Sequence, residues 1–289
     1  MHTQFLNSPI SRRRLLAGAS ATVALSACGG GGLQPERLQA RFPDGFRAPT
    51  HAVVDAGPQR FPFVIIANDQ LPMIDDVPET LEMEITMDGA LVETIVVSQH
   101  GVGQFTPYFP LVFTPPSAGR YVITPDFGGP VSELIVEERD AVNLFQVGDT
   151  LPAFDTPTFI NSHGVDPICS RSVPCPFHEI TLTEALANDK PTALLIATPA
   201  WCQTDVCGPV VDFLIDEASA RDDLNVIHAE VYESGVAGGT GFPALAPLLV
   251  EWGITFEPSI FLANPDGEIT DIRHFAFDRS EVATVIGNA

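Results

Sequence analysis

The spacing of apolar and polar positions changes once along the chain, near residue 143. Before that point apolar runs are short and separated by turn residues. They predict strands at Phe61-Pro-Phe-Val-Ile-Ile-Ala67, Leu81-Glu-Met-Glu-Ile-Thr-Met87, Leu91-Val-Glu-Thr-Ile-Val-Val97, Arg120-Tyr-Val-Ile-Thr124 and Leu134-Ile-Val-Glu137. The second alternates apolar and polar, the mark of a half-buried strand. Asp88-Gly89 between the second and third predicts a two-residue hairpin turn at positive φ. Short strands and turns over residues 51–140 predict a small all-β domain, a sandwich of immunoglobulin-like type. It has no cysteine and no acid–base cluster, so we expect a spacer or docking module. His51 and His100 read as isolated surface residues.

After residue 143 strands and helices alternate. Residues 157–161 predict a first strand. A short helix follows at 182–187, capped by Thr181 with Glu184 three residues on. Strand 192–197, helix 206–221, strand 224–231 and helix 242–252 come next, the last after a Gly-rich loop at 234–241. Strand 259–263, the turn Asn264-Pro-Asp-Gly267, strand 268–275 and helix 278–287 complete the pattern. Alternation predicts an α/β domain over 145–289. Its last two strands share a tight turn and should pair antiparallel.

Within this domain the chemistry concentrates in Thr198-Pro-Ala-Trp-Cys-Gln-Thr-Asp-Val-Cys-Gly-Pro209, between a predicted strand and a predicted helix. A thiol at such a junction faces unpartnered amides at the positive end of the helix, which favours thiolate. Cys202 and Cys207 are therefore a candidate redox pair, with Cys202 the exposed attacking thiol. On one regular helix their Cα atoms would lie roughly 8 to 9 Å apart, whereas a disulfide takes about 4.4 to 6.8 Å. The helix must then begin near Asp205 or Val206, capped by Thr204 or Asp205, with Pro209 in its first turn. The alternative is an inert stapling disulfide.

Composition adds a compartment. The chain has 289 residues, 45% hydrophobic, with 14 basic against 37 acidic residues, a net charge of −23 and one lysine, Lys190. That charge opposes binding to nucleic acid or an anionic membrane surface. Three arginines and no acids occur in the first 28 residues. Ser11-Arg-Arg-Arg-Leu-Leu16 is a twin-arginine pattern, followed by an apolar stretch too short to span a membrane. Leu25-Ser-Ala-Cys28 resembles the bacterial lipoprotein cleavage box. That resemblance implies residues 1–28 as a signal peptide, lipid on Cys28, and residues 29–50 as linker. The expected place is the cell envelope, anchored to a membrane and facing periplasm or exterior. Four cysteines remain, an even number that suits oxidising surroundings.

Trp201-Cys202 with Cys207-Gly208-Pro209, Phe256-Glu-Pro-Ser-Ile-Phe261 before the hairpin, and the closing helix resemble the thioredoxin fold. Val147-Gly-Asp-Thr-Leu-Pro-Ala-Phe154 resembles the opening segment of thioredoxin-like and peroxiredoxin-like domains. The resemblance implies an α/β thioredoxin-like domain with thiol–disulfide oxidoreductase activity and no organic cofactor. Its partners would be protein disulfides or dithiols, or a membrane reductase. By the same resemblance Trp201 is the aromatic before the attacking cysteine, Pro258 a cis proline beside the sulfurs, and a buried acid, Glu230, assists proton transfer. The chain departs from the family in its four-residue spacer. Peroxiredoxins of the bacterioferritin-comigratory type resemble it there, but their threonine lies three residues before the nucleophile, where this chain has Pro199 and Thr198 one further back. Arg273 would be their late-strand arginine.

Cys169 and Cys175 lie in a Pro-rich loop. They form a short-loop disulfide that stiffens it, or relay electrons to Cys202 by exchange. The Cys202–Cys207 pair and a histidine also suit copper, as in cytochrome-oxidase assembly proteins of related fold, with His178, His228 and His274 as candidates. The preferred expectation is that no metal is bound. A non-catalytic binding module using the sandwich and loop 234–241 is the remaining alternative.

Overall fold

The computed structural model describes residues 33–40, 52–202, 205–235 and 243–289. The expected signal peptide and lipobox with Cys28, His51, Thr204 and most of loop 234–241 lie outside these residues. No described helix is long and apolar enough to cross a membrane.

Seven strands build the N-terminal part: β1 (Pro35–Ala40), β2 (Gln59–Ala67), β3 (Thr80–Met87), β4 (Ala90–Ser98), β5 (Phe109–Phe113), β6 (Gly119–Pro125) and β7 (Ser132–Val136). They form two antiparallel sheets, ordered β1-β2-β5 and β4-β3-β6-β7. Asp88 and Gly89 turn the β3–β4 hairpin at φ 51° and 77°, as their sequence predicts. Alternate residues of both sheets share one core, including Phe61, Phe63, Met83, Leu111 and Tyr121. β1 falls inside the stretch read as linker, and β5 was not anticipated.

The C-terminal part comprises α1 (Leu182–Leu186), β8 (Thr192–Ile196), α2 (Cys207–Ala218), β9 (Asn225–Ala229), α3 (Pro247–Trp252), β10 (Ser259–Ala263), β11 (Ile269–His274) and α4 (Arg279–Gly287). The sheet order is β11-β10-β8-β9. β9 is parallel to β8, and β10 is antiparallel to both β8 and β11. Every residue of β8 and β10 is buried, because helices cover both faces. Leu195 and Ile260 face α2 and α4. Leu194, Ile196 and Phe261 face α1 and α3.

Local chemistry sets the boundaries. Thr181 accepts from the Glu184 amide while the Glu184 carboxylate accepts from the Thr181 amide, so the predicted capping box is present. α3 starts at 247 rather than 242 because Pro247 occupies its first turn. The predicted strand 157–161 is absent. Thr158 and Asn161 bond to each other across a tight turn instead, removing those groups from any ladder.

β2 joins the two parts. Phe61, Phe63 and Ile65 point into the sandwich core. Val64 and Ile66, on its other face, pack with Tyr108 into the core beneath α2 and α4. Arg60 of β2 makes a bidentate pair with Glu281 of α4, both bonds 2.6 Å. Tyr108 donates to the same carboxylate and accepts from the Asp278 amide at 2.8 Å. Residues 33–289 thus form one unit.

Candidate functional site

Strand β8 delivers the chain to a turn that ends at the first residue of α2. Cys207 is that residue and is wholly buried; Cys202 lies in the preceding loop and is half-buried. The two are joined by a disulfide with Cα atoms 6.0 Å apart. This resolves the spacing problem as expected, with Pro209 in the first turn. The anticipated Asp205 cap is not formed. The residue before α2 is Val206, which has no hydrogen-bonding side chain. Asp205 instead accepts from the Thr106 amide at 2.8 Å and hydroxyl at 2.9 Å. A loop of the sandwich therefore holds Asp205, two residues before Cys207, and no Asp205 or Val206 side chain competes with a sulfur anion for the first amides of α2.

Trp201 is half-buried and lies flat against the Gly235 backbone, leaving no room for a side chain there. Pro258 precedes β10 in a cis peptide with Glu257. Glu257 is the residue that reasoning from sequence missed. One carboxylate oxygen and both sulfurs of the Cys202–Cys207 pair lie within 4.8 Å of one another. Burial pushes the Glu257 carboxyl above its ordinary value. A small cleft beside it is lined by Val64, Thr106, Asp205, Val206, Phe275 and Ala276, so both parts of the molecule border the site. The only sequence signal was an acid directly before a proline predicted to be cis.

Glu230 is buried, but it faces a different loop. Its Oε1 accepts from the Ser170 amide at 2.5 Å and its Oε2 has no hydrogen-bond partner. Arg273 is held by Asp271 and Ile272 O, with Glu281 3.7 Å from its Nε. Thr198 is buried with an unpartnered hydroxyl. His274 bonds Ser259 Oγ at 2.8 Å, and His100 is no isolated surface group, since it bonds Asp278 at 3.2 Å.

The expected Cys169–Cys175 disulfide is not formed. Both are free, buried thiols. They meet His178 and His228 rather than Cys202: Cys175 Sγ is 3.3 Å from His178 Nε2 and 3.3 Å from His228 Nδ1. Two of the three histidines considered for copper, His178 and His228, therefore belong with this pair, while His274 does not. The hydrogen bond from Cys175 holds the Cys169 thiol well below its ordinary range, although burial opposes this.

No protein-family profile matches the chain, and no curated protein matches it. Among solved structures it is similar to the pneumococcal exposed lipoprotein thioredoxin Etrx1 of Streptococcus pneumoniae strain TIGR4, at 13% identity, covering 36% of this chain and 90% of that one, TM-score 0.26. It is similar also to the N-terminal domain of PilB from Neisseria gonorrhoeae, at 17% identity over 38% and 83%, TM-score 0.26. A third is DsbF of MTB, at 19% identity over 38% and 87%, TM-score 0.26. These likenesses are faint, and the chemistry of the site rests on its own geometry.

Proposed function

We propose that this chain is an exported, lipid-anchored thiol–disulfide oxidoreductase of thioredoxin-like fold, acting through Cys202 and Cys207. The observation that carries the reading is the asymmetry of the bonded pair: Cys202 meets solvent at the head of α2 while Cys207 is shut behind it. In the reducing direction the Cys202 thiolate attacks a partner disulfide. One partner sulfur leaves with the electron pair and takes a proton, and a mixed disulfide forms. The Cys207 thiolate then attacks Cys202 Sγ, the 202–207 bond forms, and the second partner sulfur leaves as thiolate. Two electrons pass to the partner. Run backwards, the oxidised pair donates its disulfide.

Glu257 takes the proton from Cys207 and returns it to the leaving thiolate. A carboxyl that burial holds above its usual range is a better proton carrier to and from a thiol than an ordinary one. Trp201 and the Pro258 backbone border the groove in which an extended peptide would lie. The N-terminal sheets serve as an immunoglobulin-like spacer or docking module between the Cys28 anchor and the pair.

Mass-spectrometric thiol mapping across a redox titration tests this. The pair should open near the poise of exchange proteins, about −120 to −270 mV. A pair that resists strong reductant would be a staple and would overturn the proposal. Cys207→Ser should accumulate mixed disulfides through Cys202, and Cys202→Ser should accumulate none.

A further inference from the structure

We propose that Cys169, Cys175, His178 and His228 bind one structural zinc ion, at a site separate from the exchange pair. Their ligand atoms lie within 4.8 Å of one another, and all four residues are buried. A tetrahedral cage with Zn–S of about 2.3 Å and Zn–N of about 2.0 Å has edges of roughly 3.3 to 3.8 Å. The two measured sulfur–nitrogen edges, both 3.3 Å, are already of that size.

The orientation of the imidazoles argues for a cation. His178 Nδ1 faces Pro157 O at 3.3 Å, and His228 Nε2 faces Ala197 O at 3.0 Å. A carbonyl oxygen only accepts, so each remote nitrogen carries its hydrogen. The inner nitrogens, His178 Nε2 and His228 Nδ1, are then bare lone pairs, both aimed at Cys175 Sγ. An ion between these two lone pairs and the two sulfurs takes all four. Histidine ligands of zinc are held in this way, the far N–H on a backbone carbonyl. The Cys175 amide donates to Cys169 Sγ at 3.4 Å, which supports a thiolate there.

Charge and ligand type select the ion. Two thiolates and two neutral imidazoles cancel the charge of a divalent cation, so the buried site is neutral. A mononuclear tetrahedral set of two sulfurs and two nitrogens suits zinc. Four protein ligands and no exposed face make it a closed, structural site.

The placement gives the ion a task. Three ligands come from loop 166–178 and the fourth from edge strand β9. That loop leads to the catalytic turn: Ser170 Oγ accepts from the Ala200 amide at 3.0 Å, one residue before Trp201. The Ser170 amide in turn binds Glu230, two residues beyond His228. Zinc would therefore fix the turn that presents Trp201 and Cys202.

Metal counting on the full chain, produced with zinc in the medium, tests the site. We expect about one zinc per chain, retained in Cys202→Ser and Cys207→Ser and lost in Cys169→Ser and Cys175→Ser. Cobalt in place of zinc should show the visible bands of a tetrahedral thiolate site, absent in Cys175→Ser. Should those variants fail to fold, titrating the wild-type chain with a mercurial in the presence of a zinc indicator gives the same answer: zinc should leave as Cys169 and Cys175 are modified. Only trace metal, a native Cys169–Cys175 disulfide, zinc that stays after both thiols are blocked, or stoichiometric copper or iron instead would each overturn the proposal. Because the readout is metal content, its failure leaves the exchange reading of Cys202 and Cys207 standing.

Discussion

Replacing Glu257 by glutamine removes a carboxyl that burial keeps protonated above its ordinary range. A group with that shift favours the folded state while protonated. Stability should therefore fall as pH rises from about 4.5 through the raised folded value, and Glu257→Gln should flatten this trend in urea midpoints measured from pH 4 to 8. In the exchange assay the same variant should slow Cys207 resolution and lose the limb of the pH–rate profile that reports the carboxyl. At Gly235 the indole of Trp201 occupies the space of any side chain. Gly235→Ala should displace Trp201, seen as a change in its fluorescence, while leaving the Cys202–Cys207 bond in place.

At the scale of elements, the joint between β2 and α4 carries more than its length suggests. Arg60 and Glu281 have side chains only 7% and 12% exposed, so Arg60→Met leaves a carboxylate buried without its partner. The cost should be roughly 3 to 5 kcal/mol in denaturant unfolding, and the Arg60→Met, Glu281→Leu double variant should recover much of it. Thr181→Ala, which opens the capping box of α1, should cost about 1 kcal/mol. The box was legible in sequence because its two partners are three residues apart. The Cys202–Cys207 pair was legible for a similar reason, as a strand, a turn and a helix are local signals. β5 was hidden by Pro110, which weakens a strand reading but here sits opposite Pro62 of β2. The four-ligand cluster was hidden by distance along the chain. His228 stands between Ile227 and Ala229 on an apolar strand, where a lone histidine reads as a satisfied core or edge residue. Only the folded sheet brings it beside a loop fifty residues earlier, where Phe177 O accepts from the His228 amide at 3.1 Å.

For the whole molecule, the N-terminus of α4 is where the two parts hold each other. Asp278 caps the helix through the Glu281 amide at 3.1 Å and also accepts from the Gly101 amide at 3.1 Å and from His100. Burial opposes its ionisation, but the bonds from His100, Ser280 and the backbone outweigh it and hold it well below the usual carboxylate range. The bond to Asp278 raises His100, against burial and with help from Glu281, while Arg60 opposes it. The Asp278 contribution is present above about pH 4 and fades as pH falls through its depressed value. That of His100 is full below about pH 6.5 and is lost as pH rises through its raised value. His100→Gln should therefore cost roughly 1 kcal/mol near pH 5.5 and little at pH 9, read as the difference in urea midpoint from wild type. The double-sided burial of β2 bears on how the protein is born. A ribosome releases β2 and Tyr108 well before α2 and α4 exist to cover Val64 and Ile66. During that interval the nascent half shows water a greasy stripe that invites chaperones. A message truncated near codon 140 should yield a product that clumps rather than a free-standing module.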